Sequence, residues 1–234
     1  MPKILLQFEK GESVRWLGHL DILRTFERAI RRARLPIAFT AGFNPRERLT
    51  FVSALGTGIT GESEPLIIDL IEEVTCSDVA ERLNSALPPG FRIRGCGTIT
   101  DDEAKALLKD STQALYATIC SCPTGTNSEM LNAAINKLVA LPSLPLERQR
   151  EGRTKQLDAR PYLYSLSLEE FNADTNRAVI KMTVGQGESG NLKPTEVISL
   201  LSQFLPGIKP RRTVRRMMLD SNSQPISLRM EFVN

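Results

Sequence analysis

Histidine is nearly missing from this 234-residue chain: His19 is the single one. Tryptophan is as sparse, with only Trp16, and aromatic residues make up 6%. Four cysteines are present, Cys76, Cys96, Cys120 and Cys122, but they form no CxxC pair and no CxxxCxxC cluster. With one histidine available, these spacings argue against a Cys/His zinc site and against an iron–sulfur site. No cofactor is therefore expected in this chain, and the thiols read as buried packing groups. No apolar run approaches the ~20 residues that a membrane span needs. The opening Met1–Lys10 stretch lacks the apolar centre of a signal peptide, so a cytoplasmic location without membrane contact is expected. The glycines of Leu55–Gly61 match neither GxGxxG nor a P-loop, because no lysine follows and no helix begins there.

What is present is a globular composition, 41% hydrophobic and 24% charged, with a net charge of only +3. The basic charge is not spread evenly. Between positions 24 and 48 there are seven arginines against two glutamates. The stretch Arg15–Phe51 organises the reading. Leu17, Leu20, Leu23, Phe26 or Glu27, and Ile30 recur at three- or four-residue spacing, which predicts an amphipathic helix with that face inward. Arg24, Arg28, Arg31 and Arg32 fall on the other side. Pro36 ends the helix. A strand-like run over 37–41 follows, then a tight Gly42-Phe43-Asn44-Pro45 turn, then Arg46 and Arg48. Ion pairs along the helix surface contribute roughly 0.2–0.5 kcal/mol each, too little to explain so many arginines. The alternatives are a solvated helix face with a hairpin loop, or a docking surface for an anion such as RNA backbone or an acidic partner.

Along the chain, strands are expected over 4–8, 48–52, 65–71 and 91–94, with a second helix over 79–87 stopped by Pro88-Pro89-Gly90. This order is the ferredoxin-like pattern. Residues 101–111 read as a linker or a short helix. The second half repeats the plan: a strand over 114–120, a helix over 128–141, a polar basic hairpin-like arm over 149–160, strands over 162–168 and 177–184, a helix opened by Pro194, and a basic strand over 211–219. Val79, Leu83, Leu87 and Pro88 match Val197, Leu201, Leu205 and Pro206 at one constant offset, and each helix leads to a Pro-Gly stop and a basic strand. Such self-similarity supports two copies of one unit. The expectation is an α+β protein of two tandem ferredoxin-like (βαββαβ) halves, residues 1–100 and 112–234, with antiparallel sheets and helices on one face.

Arg15-Trp16-Leu17-Gly18-His19-Leu20-Asp21, then Arg28-Ala29, Arg31-Arg32-Ala33, Leu35-Pro36, Gly42-Phe43-Asn44-Pro45 and Arg48, resemble the radical-SAM-linked protein family, a bacterial group of unknown function. Glu64 and Asp69 match its next block, and Lys155, Asp158, Arg160 and Pro161 match a later basic-Asp-x-Arg-Pro segment. One departure is that Arg46-Glu47 stand where the family usually carries His-Pro. The resemblance implies a radical SAM protein as partner, with RNA as a shared theme, and carries over no catalytic residue.

Several residues are candidates for contact. Arg15, Arg24, Arg28, Arg31, Arg46 and Arg48 would meet phosphate, with Asn44 shaping the loop. Trp16 and Phe43 would stack on bases or else pack internally. The arm supplies Arg148, Arg150, Arg153 and Lys155, while Asp158 and Arg160 either fix the arm as an ion pair or join the surface. In the C-terminal strand Arg211 and Arg215 alternate with Arg212 and Arg216; one set should be wet or ligand-bound, because an unpaired buried arginine is costly. Three functions follow: a non-catalytic protein that binds RNA or presents a substrate to a radical SAM partner, a docking module for that enzyme without RNA, and a small RNA endonuclease or modifying enzyme using His19 as general base. A binding role is expected ahead of an enzymatic one.

Overall fold

A computed structural model of the chain describes residues 1–150, 152–187, 190–226 and 231–232, without the side chains of 150, 153, 231 and 232. The chain divides into two compact units, Met1–Ser111 with Arg215–Asn234, and Thr112–Val214.

The first unit begins with β1 (Lys3–Lys10), in which Ile4, Leu6 and Phe8 alternate with residues of the opposite face, as a half-buried strand requires. Helix α1 (His19–Arg32) follows, then β2 (Leu49–Phe51), β3 (Ile59–Asp69), α2 (Cys76–Ala86) and β4 (Phe91–Ile99). β4 lies beside β1, β1 beside β3, and β3 beside β2, each pair antiparallel. This 4-1-3-2 order is the ferredoxin-like arrangement, and β11 (Glu231–Phe232) adds to the outer edge of β4. Helices α1 and α2 cover one face. Phe26 of α1 sits among Phe8, Phe51 and Phe91, with ring centroids 4.7, 5.7 and 5.8 Å away.

Two expectations are corrected in this unit. The buried residues of α1 are Ile22, Phe26, Ala29 and Ile30, whereas Leu20 is 63% exposed. Residues 101–111, expected as a linker or a short helix, form the helix α3 (Asp101–Asp110), started by a reciprocal cap between Thr100 and Glu103. Its Ala104 and Leu107 pack on Leu5, Ile67 and Ile99, so helices cover both faces of this sheet.

The second unit contains β5 (Gln113–Ser121), α4 (Ser128–Ala140), β8 (Leu163–Asn172), β9 (Arg177–Gly185), α5 (Pro194–Leu201) and the first part of β10 (Lys209–Leu219), again in the order 4-1-3-2: β10, β5, β9, β8. The chain therefore holds two ferredoxin-like units. Between α4 and β8 a separate hairpin is inserted, β6 (Pro145–Arg150) paired with β7 (Arg153–Asp158). Burial pushes the Cys120 thiol up to about 12, with Cys122 adding to the shift. No helix among the described residues is long and apolar enough to cross a membrane.

The first unit also buries charge. Arg215, fully buried, donates from Nε to Glu64 (2.9 Å), from a terminal nitrogen to the other Glu64 oxygen, and to Ser53 Oγ (3.1 Å) and the carbonyls of Ser53 and Ala54 (3.2 and 3.3 Å). Lys10, also fully buried, donates to the carbonyls of Arg15 and Leu17, each at 2.9 Å. Burial pulls the Lys10 ammonium below its ordinary pKa, Glu64 opposes that, and Arg215 reinforces it. Arg215 was a candidate contact residue, and this site corrects the assignment: its guanidinium is spent on Glu64. Removing one partner leaves a buried charge uncompensated, which costs about 3–5 kcal/mol. Urea unfolding should show a loss of that order for Arg215→Met, and partial recovery when Glu64→Leu is added. Equal stability of Arg215→Met and the parent would contradict the pairing.

Candidate nucleic-acid interface

The turn after α1 begins where Ala33 ends the helix and Arg34 adopts a left-handed φ of 50°. The exposed carbonyls there are satisfied by Arg82, whose Nε donates to Ala33 O at 2.9 Å and whose terminal nitrogen reaches Arg34 O. Arg32 in turn caps α2 through Ala86 O at 2.8 Å. The expected strand over 37–41 is instead one arm of an irregular hairpin. Ile37 bridges Leu70, Ala38 N donates to Asp69 O (2.8 Å), Phe39 bridges Glu47, and Arg48 N donates to Ala38 O (2.8 Å). At the tip Thr40 N meets Arg46 O at 2.9 Å, and Arg46 N meets Thr40 Oγ1 at 3.0 Å. Gly42 takes φ 123°, a conformation side chains rarely adopt, so the tip needs glycine there.

Two ion pairs hold this hairpin at its root. Arg31 Nε contacts Glu47 Oε1 at 2.5 Å, and Arg48 Nε contacts Asp69 Oδ2 at 2.8 Å. Both carboxylates are buried, and Asp69 also takes Lys3 at 2.7 Å. The Arg31 hydrogen bond outweighs burial and holds the Glu47 carboxyl below the usual range. Glu47, where the resembling family carries proline, is thus the residue that ties the hairpin to α1.

The arginines consequently divide. Arg31 and Arg48 are clamps. Arg24, Arg28 and Arg46 are exposed, and their side chains have no hydrogen-bond or ion-pair partner among the described residues. Phe43 is fully exposed at the tip, Asn44 beside it is exposed, and Phe39 is half exposed. Arg15 pairs with Glu12, and its guanidinium lies 4.6 Å from the Trp16 ring centroid. His19 packs edge-on against Phe51 with centroids 5.3 Å apart. Asp21 receives the Gly18 amide at 3.3 Å rather than the imidazole.

The remaining candidates lie in the second unit. Asp158 and Arg160 do not pair side chain to side chain. Asp158 accepts the amides of Leu144 (2.7 Å) and Arg160 (2.9 Å), which lower its pKa, and the Arg160 guanidinium donates to Leu163 O at 2.8 Å. Arg148 grips Glu196 with two 2.7 Å bonds and so serves the fold, not a ligand. Burial raises the Glu196 pKa, but that grip and the Lys193 amide leave it lowered overall. Lys155 is exposed. The Arg150 and Arg153 side chains lie outside the described set. Arg211 and Arg212 are exposed, Arg211 donating to Ser121 Oγ at 3.0 Å. Sequence reading missed Lys10, Glu47 and the structural use of Glu64 and Asp69. No local signal could have shown these pairs, since Glu64 and Arg215 are 151 residues apart.

The chain belongs to the DUF2344 family, described as an uncharacterized protein conserved in bacteria, which matches residues 3–194. Among solved structures it is similar to a chain of a Cbf5-Nop10-Gar1 complex, with 9% identity, 93% of this chain and 48% of that chain covered, and a TM-score of 0.52. It is also similar to a chain of an archaeal box H/ACA sRNP Nop10-Cbf5 complex, with 10% identity, 91% and 46% coverage, and a TM-score of 0.48. The chain spans about half the length of these chains, and the likeness to the first is one of fold. No curated protein matches it in sequence.

The depressed Glu47 carboxyl fixes a pH dependence. Its pair with Arg31 is fully present above the ordinary carboxylate pKa and is lost as pH falls through the lowered value. Limited proteolysis should therefore cut the Thr40–Arg46 tip faster at acid pH than at neutral pH, and Glu47→Gln should show the fast rate at both. A Glu47→Gln protein as resistant as the parent at neutral pH would remove the clamp.

Proposed function

We propose that this DUF2344 protein is a non-catalytic RNA-binding accessory, and that the α1 surface and its hairpin hold RNA for a radical SAM enzyme, the partner suggested by the sequence resemblance. One observation carries the reading. Glu47 and Asp69 hold Arg31 and Arg48 at the hairpin root, yet Arg24 and Arg28 on α1 and Arg46 on the hairpin stand exposed without partners among the described residues, and the same hairpin carries the fully exposed Phe43. Exposed guanidinium groups on an element that also displays an aromatic are what a phosphate backbone with accessible bases would use.

Three phosphate contacts predict a slope of log K against log salt of about −2 for a single strand, hence about a 20-fold loss of affinity between about 50 and about 200 mM salt. Fluorescence anisotropy with labelled RNA should show this, and Arg24→Gln/Arg28→Gln/Arg46→Gln should flatten it. A flat salt response of the parent, or no binding at low salt, would sink the RNA reading.

A second reading is a docking module for the radical SAM enzyme without RNA. The observation in its favour is apolar: Phe39, Phe43 and Ile71 (50%, 110% and 64% exposed) are all borne by the hairpin and the strand end it bridges. Co-purification of the enzyme after nuclease treatment, lost in Phe43→Asp, would support this second reading over the first.

A further inference from the structure

A second aromatic is displayed as deliberately as Phe43, at the opposite end of α1. Trp16 is 67% exposed, yet the backbone on either side of it is pinned. The fully buried Lys10 donates 2.9 Å bonds to the carbonyls of Arg15 and Leu17, the residues flanking Trp16. Gly58 N donates to Arg15 O at 2.8 Å, and a Cβ added at Gly58 would come within 3.0 Å of the Trp16 ring. Burying an ammonium is costly unless its hydrogen bonds are met. Here they are met by the peptide groups that aim this ring outward. Leu20, four residues on and in the first turn of α1, is 63% exposed.

Leu20, Arg24 and Arg28 follow one another at four-residue spacing along one ridge of α1, each about 6 Å further along the axis. Arg31, three residues beyond Arg28, is the anchor of the hairpin that carries Arg46 and Phe43. The 14 residues of α1 make it about 21 Å long, with Trp16 three residues before its start and the Phe43 hairpin anchored at Arg31 near its end. Neither sheet face of this unit is free, because α1 and α2 cover one and α3 packs on the other.

Resting on the RNA reading above, we infer that the ligand is a single strand laid along α1, with one base against Trp16, another against Phe43, and the intervening phosphates on Arg24, Arg28 and Arg46. A duplex does not fit this arrangement, since stacked and paired bases offer no face to either ring. A strand running the length of α1 corresponds to a site of about four nucleotides or more, the lower end for single-strand grooves.

The test is anisotropy with labelled oligouridylates of graded length, and with the longest of them annealed to its complement. Affinity should rise with length up to about four nucleotides and then flatten. The single strand should bind about tenfold or more tighter than the duplex. Trp16→Ala should weaken the long single strand about five- to hundred-fold, the range expected for one lost base stack, without altering the salt slope. Trp16→Phe should restore most of that loss, which a merely misfolded loop would not permit. If the duplex binds as well as the single strand, or Trp16→Ala binds unchanged while Arg28→Glu still weakens binding, the inference fails and the RNA reading survives. If no RNA binds the parent protein at low salt, both fail.

Discussion

A carboxylate taken out of water must be met by a cation, and in the first unit three are: Glu47 by Arg31, Glu64 by Arg215, and Asp69 by Arg48 and Lys3. This constraint sorts the basic residues before any ligand is considered. With 30 lysines and arginines against 27 acidic residues, composition alone cannot say which cations are available. Burial can. A guanidinium bound to a buried carboxylate is fixed, because releasing it would strand the partner in a low dielectric. Among the arginines of α1 and its hairpin this leaves Arg24, Arg28 and Arg46 exposed and without a hydrogen-bond or ion-pair partner among the described residues, as is Arg34 in the turn between them.

The fold was legible because the repeat is written in packing residues. Val79 and Leu83 in α2 and Val197 and Leu201 in α5 are all fully buried, and Leu87 and Leu205 close the same faces at 9% and 6% exposure. Both helices link the third strand of a unit to its fourth, and in both connections a glycine with positive φ precedes that fourth strand, Gly90 at 97° and Gly207 at 92°. Positions that fill a core are constrained by volume and periodicity, so a second copy of the unit keeps them while its surface drifts. The expectation of helices on one face failed in the first unit because α3 is short and mostly charged. Only Ala104 and Leu107 of its ten residues turn inward, too few to distinguish a packed helix from a connecting segment by pattern.

The site was legible only in part, and the misses share one cause. The expected inward set around α1, Leu17, Leu20, Leu23, Phe26 or Glu27, and Ile30, shares Phe26 and Ile30 with the observed one, Ile22, Phe26, Ala29 and Ile30. Which set faces the sheet depends on how the helix is rotated about its axis, and Phe26 settles it by filling the space between Phe8, Phe51 and Phe91. Rotation in that sense is also what leaves Leu20 outside, in line with Arg24 and Arg28. Likewise, strand alternation grouped Arg211 with Arg215, yet Arg211 is exposed and Arg215 buried. Alternation describes direction, not depth, and the depth of Arg215 is set by Glu64, 151 residues away.

The blocks quoted for the family resemblance acquire physical roles from these contacts. Glu64 and Asp69 are the carboxylates that receive Arg215 and Arg48, Asp158 caps two backbone amides, and Gly58 gives Trp16 the room it occupies. These roles are structural, yet they converge on display. The ion pairs of Glu47 and Asp69 fix the hairpin that presents Phe43, and Lys10 fixes the loop that presents Trp16. Exposed aromatics on unconstrained loops would collapse onto the nearest apolar surface, since hiding a large ring from water is favourable by about 1.5–3 kcal/mol. Holding them out requires backbone anchors stronger than that tendency, and buried charge pairs satisfied by several hydrogen bonds supply such anchors. With helices packed on both sheet faces, the proposed contact with another molecule falls to the helix ridge and the two aromatics held out at its ends.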